Sequence, residues 1–329
     1  MTWFVLAGCA ERTPPPPGGC DPIDPLSSGV VEWDDQGVPR TYRAHVPADL
    51  DPTEPAPLVL WFHGWGGDED ELLGVPAVTA LADERGYVVV APRGLGSGPP
   101  DRQFASWSFS GSTTGLDPDG GPICDPELTP DYRYPSCEGV AENGCSWTHC
   151  QADDVAFVTA WVEQLEQRLC LDPDRVFAAG GSNGGMFTWE LAQRTGGLLR
   201  GVAPLIGLPH RGYLDANPEV AALSITGTRD PVVPPGAWDD PSFTTSSNGQ
   251  DRFYYTGATA ITGAWAAAAG CDGASVPFDD GVPETDCRTT CAGPGWPAVV
   301  DCRADMGHTY AFAWAWPLVL DAFDAWSAQ

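Results

Sequence analysis

The 329-residue chain contains no lysine; its 16 basic residues are all arginine, set against 45 Asp and Glu, and the net charge is −29. A chain so short of positive charge has no basic patch with which to neutralise phosphates, so nucleic acid is excluded as a partner. What remains is the acidic surface of a soluble protein. Long hydrophobic runs are also missing, and no stretch approaches the roughly 20 apolar residues that a membrane span needs. No internal repeat divides the chain. Phosphate-cradling loops are absent as well: no lysine follows a glycine-rich turn, and no G-x-G-x-x-G opens the first strand–helix unit.

Cysteine, by contrast, is plentiful, with 11 in all. That many in one catalytic-sized domain point to an exported, oxidised protein rather than a reduced cytosolic one. The odd total has an explanation at the N-terminus. There a short apolar run, Trp3 to Leu6, leads into Leu6-Ala7-Gly8-Cys9. The tetrad resembles the end of a bacterial lipoprotein signal, in which the cysteine becomes the lipidated first residue of the mature chain. The run is short and no positive residue precedes it, which we read as a start codon placed late. Setting Cys9 aside leaves an even number of cysteines, enough for five disulfides. Ten cysteines allow about 945 pairings, and spacing alone selects none. The expected organisation is a signal segment over 1–9, a Pro/Gly-rich tether over 10–28 and one catalytic domain over 29–329. The protein is expected at the cell envelope or outside the cell, meeting a membrane only through a lipid on Cys9.

Within the domain, two strand-like runs flank Asp35-Gln36-Gly37 and predict a hairpin. Leu58 to Phe62 and "YVVVAPRG" are short and wholly apolar, the mark of parallel strands covered on both faces. Leu72 to Arg85 predicts one helix ended by Gly86. The segment from about 94 to 151 breaks this rhythm. It is rich in Gly, Pro, Ser and Asp and holds Cys124, Cys137, Cys145 and Cys150. A structureless stretch of that length inside a domain is functional or disulfide-held. After it, Val155, Val158, Trp161, Val162, Leu165 and Leu169 share one helical face. "RVFAAG", "GVAPLIG", "AALSITG" and "AVVDCRA" are further strands, and a closing helix runs from Tyr310 to Trp326 with a break at Pro317. Strands and helices alternate throughout, which predicts an α/β domain: a mostly parallel sheet, helices on both faces, and a disulfide-rich insertion.

The chemistry centres on Gly180-Gly181-Ser182-Asn183-Gly184-Gly185, which fits G-x-S-x-G between an apolar strand and a helix. A nucleophilic serine at such an elbow must adopt strained dihedrals, and its neighbours Gly180 and Gly184 must be small. The next N–H, that of Asn183, then lies at the positive end of a helix, where it can hold an oxyanion. A second donor is expected from the loop after Leu58–Phe62, the N–H of Trp65. Of the five histidines, only His308 follows the last strand, the place of the general base in the order nucleophile, acid, base. His63 is expected to shape the oxyanion loop and His210 to line the cleft. Asp230, after the second strand beyond the elbow, is the expected acid; Asp305, three residues before His308, is its rival.

Taken together these residues resemble the polyhydroxybutyrate depolymerase and feruloyl esterase group of α/β-hydrolases, which includes acetylxylan esterase relatives. The resemblance runs from about Arg40 to His308 through "PLVLWFHGWGG", "YVVVAPRG", "CSWTHCQADDVAFV", "LDPDRVFAAGGSNGGMF" and "GTRDPVVP". It implies a Ser–His–Asp esterase without cofactor or metal, mapping onto Ser182, His308 and Asp230. The implied substrates are feruloyl, acetyl or polyhydroxyalkanoate esters, borne on a plant cell-wall polysaccharide or a polyester. Members often continue Gly-His with Trp-Pro, whereas Gly307-His308 here continues as Thr309-Tyr310, a departure that bears on substrate contacts rather than on the base. Two alternatives stay open: a non-catalytic cell-surface binding protein on the same scaffold, and a serine peptidase, against which stands the lack of a propeller or helical gating domain. Zinc at the cysteine clusters is set aside in favour of disulfides, and calcium at Asp117–Gly121 because the loop lacks the regular oxygen spacing and terminal Glu of an EF-hand. Trp107, Trp147, Trp238 and Trp296 lie in polar loops, where a substrate platform and packing over disulfides are the two readings.

Overall fold

The computed structural model describes residues 20–96, 104–239, 244–249, 251–293 and 295–328. Cys9 and the Pro-rich start of the tether lie outside them. The chain opens with a hairpin, β1 (Gly29–Asp35) and β2 (Val38–His45), joined by Gln36 and Gly37 at φ 53° and 93°. Left-handed dihedrals at both central residues make the turn whose twist suits a two-residue hairpin. Next come β3 (Ala56–Phe62), the short α1 (Asp70–Leu73), α2 (Pro76–Arg85) and β4 (Val88–Pro92). The single helix expected over Leu72–Arg85 is therefore two, because Gly74 ends the first and Pro76 opens the second. Gly86 closes α2 in the left-handed conformation, as expected.

After the insertion the order is α3 (Asp154–Arg168), β5 (Leu171–Gly181), α4 (Asn183–Arg194), β6 (Gly201–Leu205) and β7 (Ala221–Gly227). A small pair, β8 (Thr244–Ser246) and β9 (Tyr254–Thr256), precedes α5 (Ala258–Ala268). The chain ends with β10 (Val276–Phe278), β11 (Thr285–Thr289), β12 (Val299–Ala304) and α6 (Phe312–Ser327). Pro317 does not interrupt α6. It sits early in the helix, where the loss of one N–H is offset by burial of Trp316, Leu318, Val319 and Leu320.

The main sheet has the order β1-β2-β4-β3-β5-β6-β7-β12-β11-β10. Its centre, β4 to β12, is parallel throughout, and antiparallel strands extend both edges. Strands β3, β4 and β6 are buried at every residue, as a sheet covered on both faces requires. One core packs α3, α4 and α5 against the sheet through Trp161, Trp189 and Trp265. The other face carries α2 and α6 through Val78, Ala82, Trp316 and Phe323. Because the central strands run parallel, the loops after β3, β5, β7 and β12 all emerge at one edge.

Five disulfides hold the periphery: Cys20–Cys170, Cys124–Cys145, Cys137–Cys150, Cys271–Cys291 and Cys287–Cys302. The loop cysteines are thus paired with one another, which removes the thiolates that zinc would need. Residues 20–28 are not a free tether. Cys20 is bonded to Cys170, Ile23 N–H donates to the Gln167 carbonyl at 2.8 Å, and Leu26 is buried. Residues 94–151 carry one short 3-10 turn, Pro135–Cys137, and otherwise no regular element among the described residues. No helix among the described residues is long and apolar enough to cross a membrane.

Candidate active site

Strand β5 delivers Ser182 to the top of the sheet, where the residue adopts φ 54° and ψ −118°. That strained geometry turns the side chain away from the helix it precedes, and the hydroxyl makes no capping bond. The turn stays tight because Gly184 lies against the Phe62 carbonyl and Gly180 against Gly184; a Cβ at either position would collide with backbone. The Ser182 N–H donates to the Leu205 carbonyl at 2.9 Å, anchoring the elbow to the neighbouring strand.

Asp230 and His308 come from the loops after β7 and β12. These strands are neighbours, and their loops are laced together: Thr228 N–H donates to the Ala304 carbonyl and Arg229 N–H to the Met306 carbonyl, at 2.9 and 3.0 Å. His308 Nε2 lies 2.9 Å from Ser182 Oγ, and its Nδ1 lies 2.7 Å from Asp230 Oδ2. The carboxylate can only accept, so Nδ1 carries the proton and Nε2 is left to accept from the serine hydroxyl. The other oxygen of Asp230 accepts the N–H groups of Val232 and Val233 at 2.8 and 3.0 Å, which fixes the carboxylate. The Asp230 side chain is fully buried, while that of His308 is 23 % exposed. Asp305 is exposed and pairs with Arg229 at 2.6 Å, so it does not face the imidazole.

The loop after β3 is held as firmly. The Gly64 carbonyl accepts from His63 Nδ1 at 2.7 Å and from Gly67 N–H at 2.9 Å. That carbonyl and the Trp65 N–H are opposite ends of one trans peptide, so pinning the first aims the second the other way. Among the described residues, neither the Trp65 N–H nor the Asn183 N–H donates to a protein group. His63 itself is fully buried; burial pushes its pKa down to about 4, and its Nε2 accepts from Gly94 N–H at 2.9 Å. It is a neutral strut of this loop.

The remaining histidines are used elsewhere. His210 does not line the cleft. It is buried among Phe109, Phe253 and Tyr255, accepts from Trp147 Nε1 at 2.8 Å, and burial lowers its pKa to about 3. His45 pairs with Asp83 on the surface, and His149 pairs with Asp154 in the interior.

A cavity of about 300 Å³ opens beside Ser182 and His308, large enough for a small organic group. Its walls are Trp65, Tyr132, Trp147, Met186, Val232, Val233, Phe253, Tyr255 and Tyr310, with one acidic group, Asp251. Burial pushes the Asp251 carboxyl above the ordinary carboxylate range, against a hydrogen bond from Tyr132. Three of the ten are aromatic residues that no local motif marks, Tyr132, Phe253 and Tyr255, while Tyr310 stands where Thr309-Tyr310 replaces the Trp-Pro of the resembled group. Of the expected tryptophan platform only Trp147 lines the cavity. Trp107 is buried beneath the elbow, Trp238 lies between Arg288 and Arg303, and Trp296 packs on Phe278. Asn183 has a further part that the backbone reading missed. Its amide accepts from Trp107 N–H at 2.8 Å and donates to the Trp107 carbonyl at 3.1 Å, tying the insertion to the elbow. The Asp117 carboxylate accepts Asp119 N–H, Gly121 N–H and Arg211, so its oxygens are engaged within the loop rather than arrayed for calcium.

A serine on a strained strand-to-helix turn at the carboxyl edge of a mostly parallel sheet, with acid and base following in that order, is the plan of the α/β-hydrolase fold. The chain has this fold, in which it resembles an acetyl xylan esterase from Aspergillus awamori (TM-score 0.54, 14% identity, 90% of this chain and 99% of that one). In sequence it is related to esterases of the feruloyl esterase group. It is 25% identical over 221 residues to a protein named "Probable feruloyl esterase C" of Aspergillus niger, covering 66% of this chain and 63% of that one. With feruloyl esterase C of Emericella nidulans the identity is 39% over 97 residues, 29% of this chain and 36% of that one. The chain therefore spans less than two thirds of the length of these curated relatives. No family model matches it.

Proposed function

We propose that the chain is a serine carboxylic ester hydrolase. The observation that carries this reading is the continuous hydrogen-bonded line from Ser182 Oγ through His308 to Asp230, opening on an aromatic-walled cavity. In the proposed reaction Ser182 Oγ attacks the ester carbonyl as His308 Nε2 takes its proton. Asp230 holds the imidazole and balances its charge. The N–H groups of Trp65 and Asn183 receive the oxyanion. The tetrahedral adduct collapses, the C–O bond to the alcohol breaks, and His308 gives its proton to the departing oxygen. Water, activated by His308, then cleaves the acyl-enzyme and restores the serine.

The aromatic walls favour a flat aromatic acyl group, of which feruloyl is one, over acetyl and polyhydroxyalkanoate groups. Names of the sequence relatives support the same ordering. The alcohol side would be a plant cell-wall polysaccharide. Five disulfides support export to an oxidising compartment, and Cys9 would carry the lipid anchor of a bacterial envelope protein. Turnover of methyl ferulate, acetylated xylan and polyhydroxybutyrate, measured side by side, tests the substrate, with methyl ferulate expected to lead. A fluorophosphonate probe is expected to label Ser182; a folded protein that neither labels nor hydrolyses any ester returns the reading to a binding protein. Radioactive fatty acid is expected to label the wild type and not Cys9→Ser.

A further inference from the structure

Behind the proposed oxyanion loop lies a carboxylate that the reaction above does not use. Glu71, on α1, accepts the Gly64 N–H at 3.0 and 3.2 Å through its two oxygens. It also accepts the hydroxyl of Tyr310 at 3.2 Å. Tyr310 stands two residues beyond His308 and lines the same cavity as Ser182. Its ring is wedged between the oxyanion loop and the elbow: a Cβ on Gly64 would strike the Tyr310 hydroxyl, and one on Gly181 would strike its ring. The ring is braced from behind by Trp61 and Phe312, with centroids 6.1 and 5.3 Å away.

We propose that Glu71 and Tyr310 are positioning residues that lock the Gly64–Trp65 loop to the loop carrying His308, keeping oxyanion donor and general base in register around Ser182. The inference rests on the esterase reading above. Three loops that belong to separate strands meet at this pair. Holding the Gly64 N–H fixes the His63–Gly64 peptide, one before the Gly64–Trp65 peptide whose carbonyl His63 Nδ1 holds, so both peptides leading into Trp65 are pinned. Burial pushes the Glu71 carboxyl up to about 7, against the hydrogen bonds it accepts from the Gly64 N–H and the Tyr310 hydroxyl. Burial, with Glu71 nearby, raises the Tyr310 phenol well above its ordinary value, which keeps its proton available to donate.

The test compares E71A, E71Q, Y310F and the E71A/Y310F double variant on p-nitrophenyl acetate, with thermal midpoints and the rate of fluorophosphonate labelling at Ser182. E71A is expected to lower kcat by about 10- to 100-fold with KM within about twofold, since donor and base lose register rather than substrate its pocket. Y310F is expected to lower kcat by about 3- to 10-fold, and the double variant to be no worse than E71A, because the two act as one unit. E71Q, which can still accept from Gly64 and donate to the tyrosine oxygen, is expected to keep kcat within about threefold. Labelling rates should follow kcat. A kcat for E71A within twofold of wild type, whatever its thermal midpoint, overturns the proposal, as do fully multiplicative losses in the double variant. Where E71A does not accumulate as folded protein, Y310F decides: a kcat equal to wild type overturns the clamp. A wild-type chain that neither hydrolyses esters nor labels at Ser182 overturns the esterase reading and the clamp with it.

Discussion

Besides the surface pair of His45 and Asp83, the described residues contain two aspartate–histidine pairs of nearly equal length, and they are set up for different work. Asp230 and His308 are 2.7 Å apart; Asp154 and His149 are 2.8 Å apart. At the first pair the imidazole has a free side, which meets a serine hydroxyl and an open cavity. At the second, both partners are fully buried and nothing reactive faces them. Asp154 accepts from Arg40 at 2.7 Å, and from the Ser108 N–H and hydroxyl at 2.7 and 3.1 Å. Burial pushes its carboxyl up, but His149, Arg40 and the Ser108 N–H together outweigh that and hold it well below the usual carboxylate range. This second pair pins the start of α3 and the disulfide-held insertion to the sheet edge. The lesson is that an Asp–His contact defines chemistry only through its third partner and its access to solvent.

Breaking each pair should therefore break different things. Ser182→Ala is expected to remove activity by about 10⁶-fold in kcat while leaving the fold intact, measured on p-nitrophenyl acetate beside circular dichroism. Asp230→Asn should lower kcat by about 10⁴-fold, because the amide favours the wrong imidazole tautomer. Asp154→Asn, the matched change at the other pair, should instead destabilise the protein by about 3–5 kcal/mol by leaving Arg40 buried without its anion. Its remaining folded fraction should turn over within a few-fold of wild type. If Asp154→Asn lowered kcat as Asp230→Asn does, the contrast between the pairs would collapse.

Two smaller effects sharpen it. His63 and His210 are neutral and buried, with folded-state pKa values lowered to about 4 and about 3, whereas in the unfolded chain they are ordinary imidazoles near 6.5. The unfolded state therefore binds more protons below 6.5, so their contribution is full above that pH and is lost as pH falls toward those values. Glu71 has the opposite sign. Raised to about 7, it contributes fully below its ordinary value of 4.5 and loses that contribution as pH rises through 7. Thermal midpoints between pH 4 and 8 should show the acid loss shrinking in His210→Phe and the alkaline loss shrinking in Glu71→Gln. Last, Trp147→Ala should raise KM for an aromatic acyl ester by about tenfold and leave that for acetyl esters within about twofold. Equal effects on both would remove Trp147 from the acyl pocket.

Much of the fold was legible because its signals are local. Apolar runs such as Leu58–Phe62, the turn residues Gln36-Gly37 and the capping Gly86 each report a conformation set by near neighbours. The elbow was legible for the same reason: Gly180, Ser182 and Gly184 describe one turn. Misreadings came where a distant contact overrode a local preference. Pro317 stays in a helix because its neighbours are buried, and residues 20–28 pack on the domain because Cys20 finds Cys170. His210 reads as a cleft residue from its place after a strand, but the insertion closes over it with Trp147.

The sequence by itself determined the alternation of strand and helix, the strained serine and the chain order of serine, aspartate and histidine. These follow from periodicity and turn chemistry over a few residues. Only the tertiary structure decided which cysteines pair, that Asp305 turns away to Arg229, and that Tyr132, Trp147, Asp251 and Phe253 wall one cavity. Glu71 belongs with these, since neither its helix nor its spacing marks it. Each depends on loops far apart in the chain meeting at one sheet edge. That meeting is set by strand order, and strand order is fixed by burial of the whole sheet rather than by any short stretch of residues.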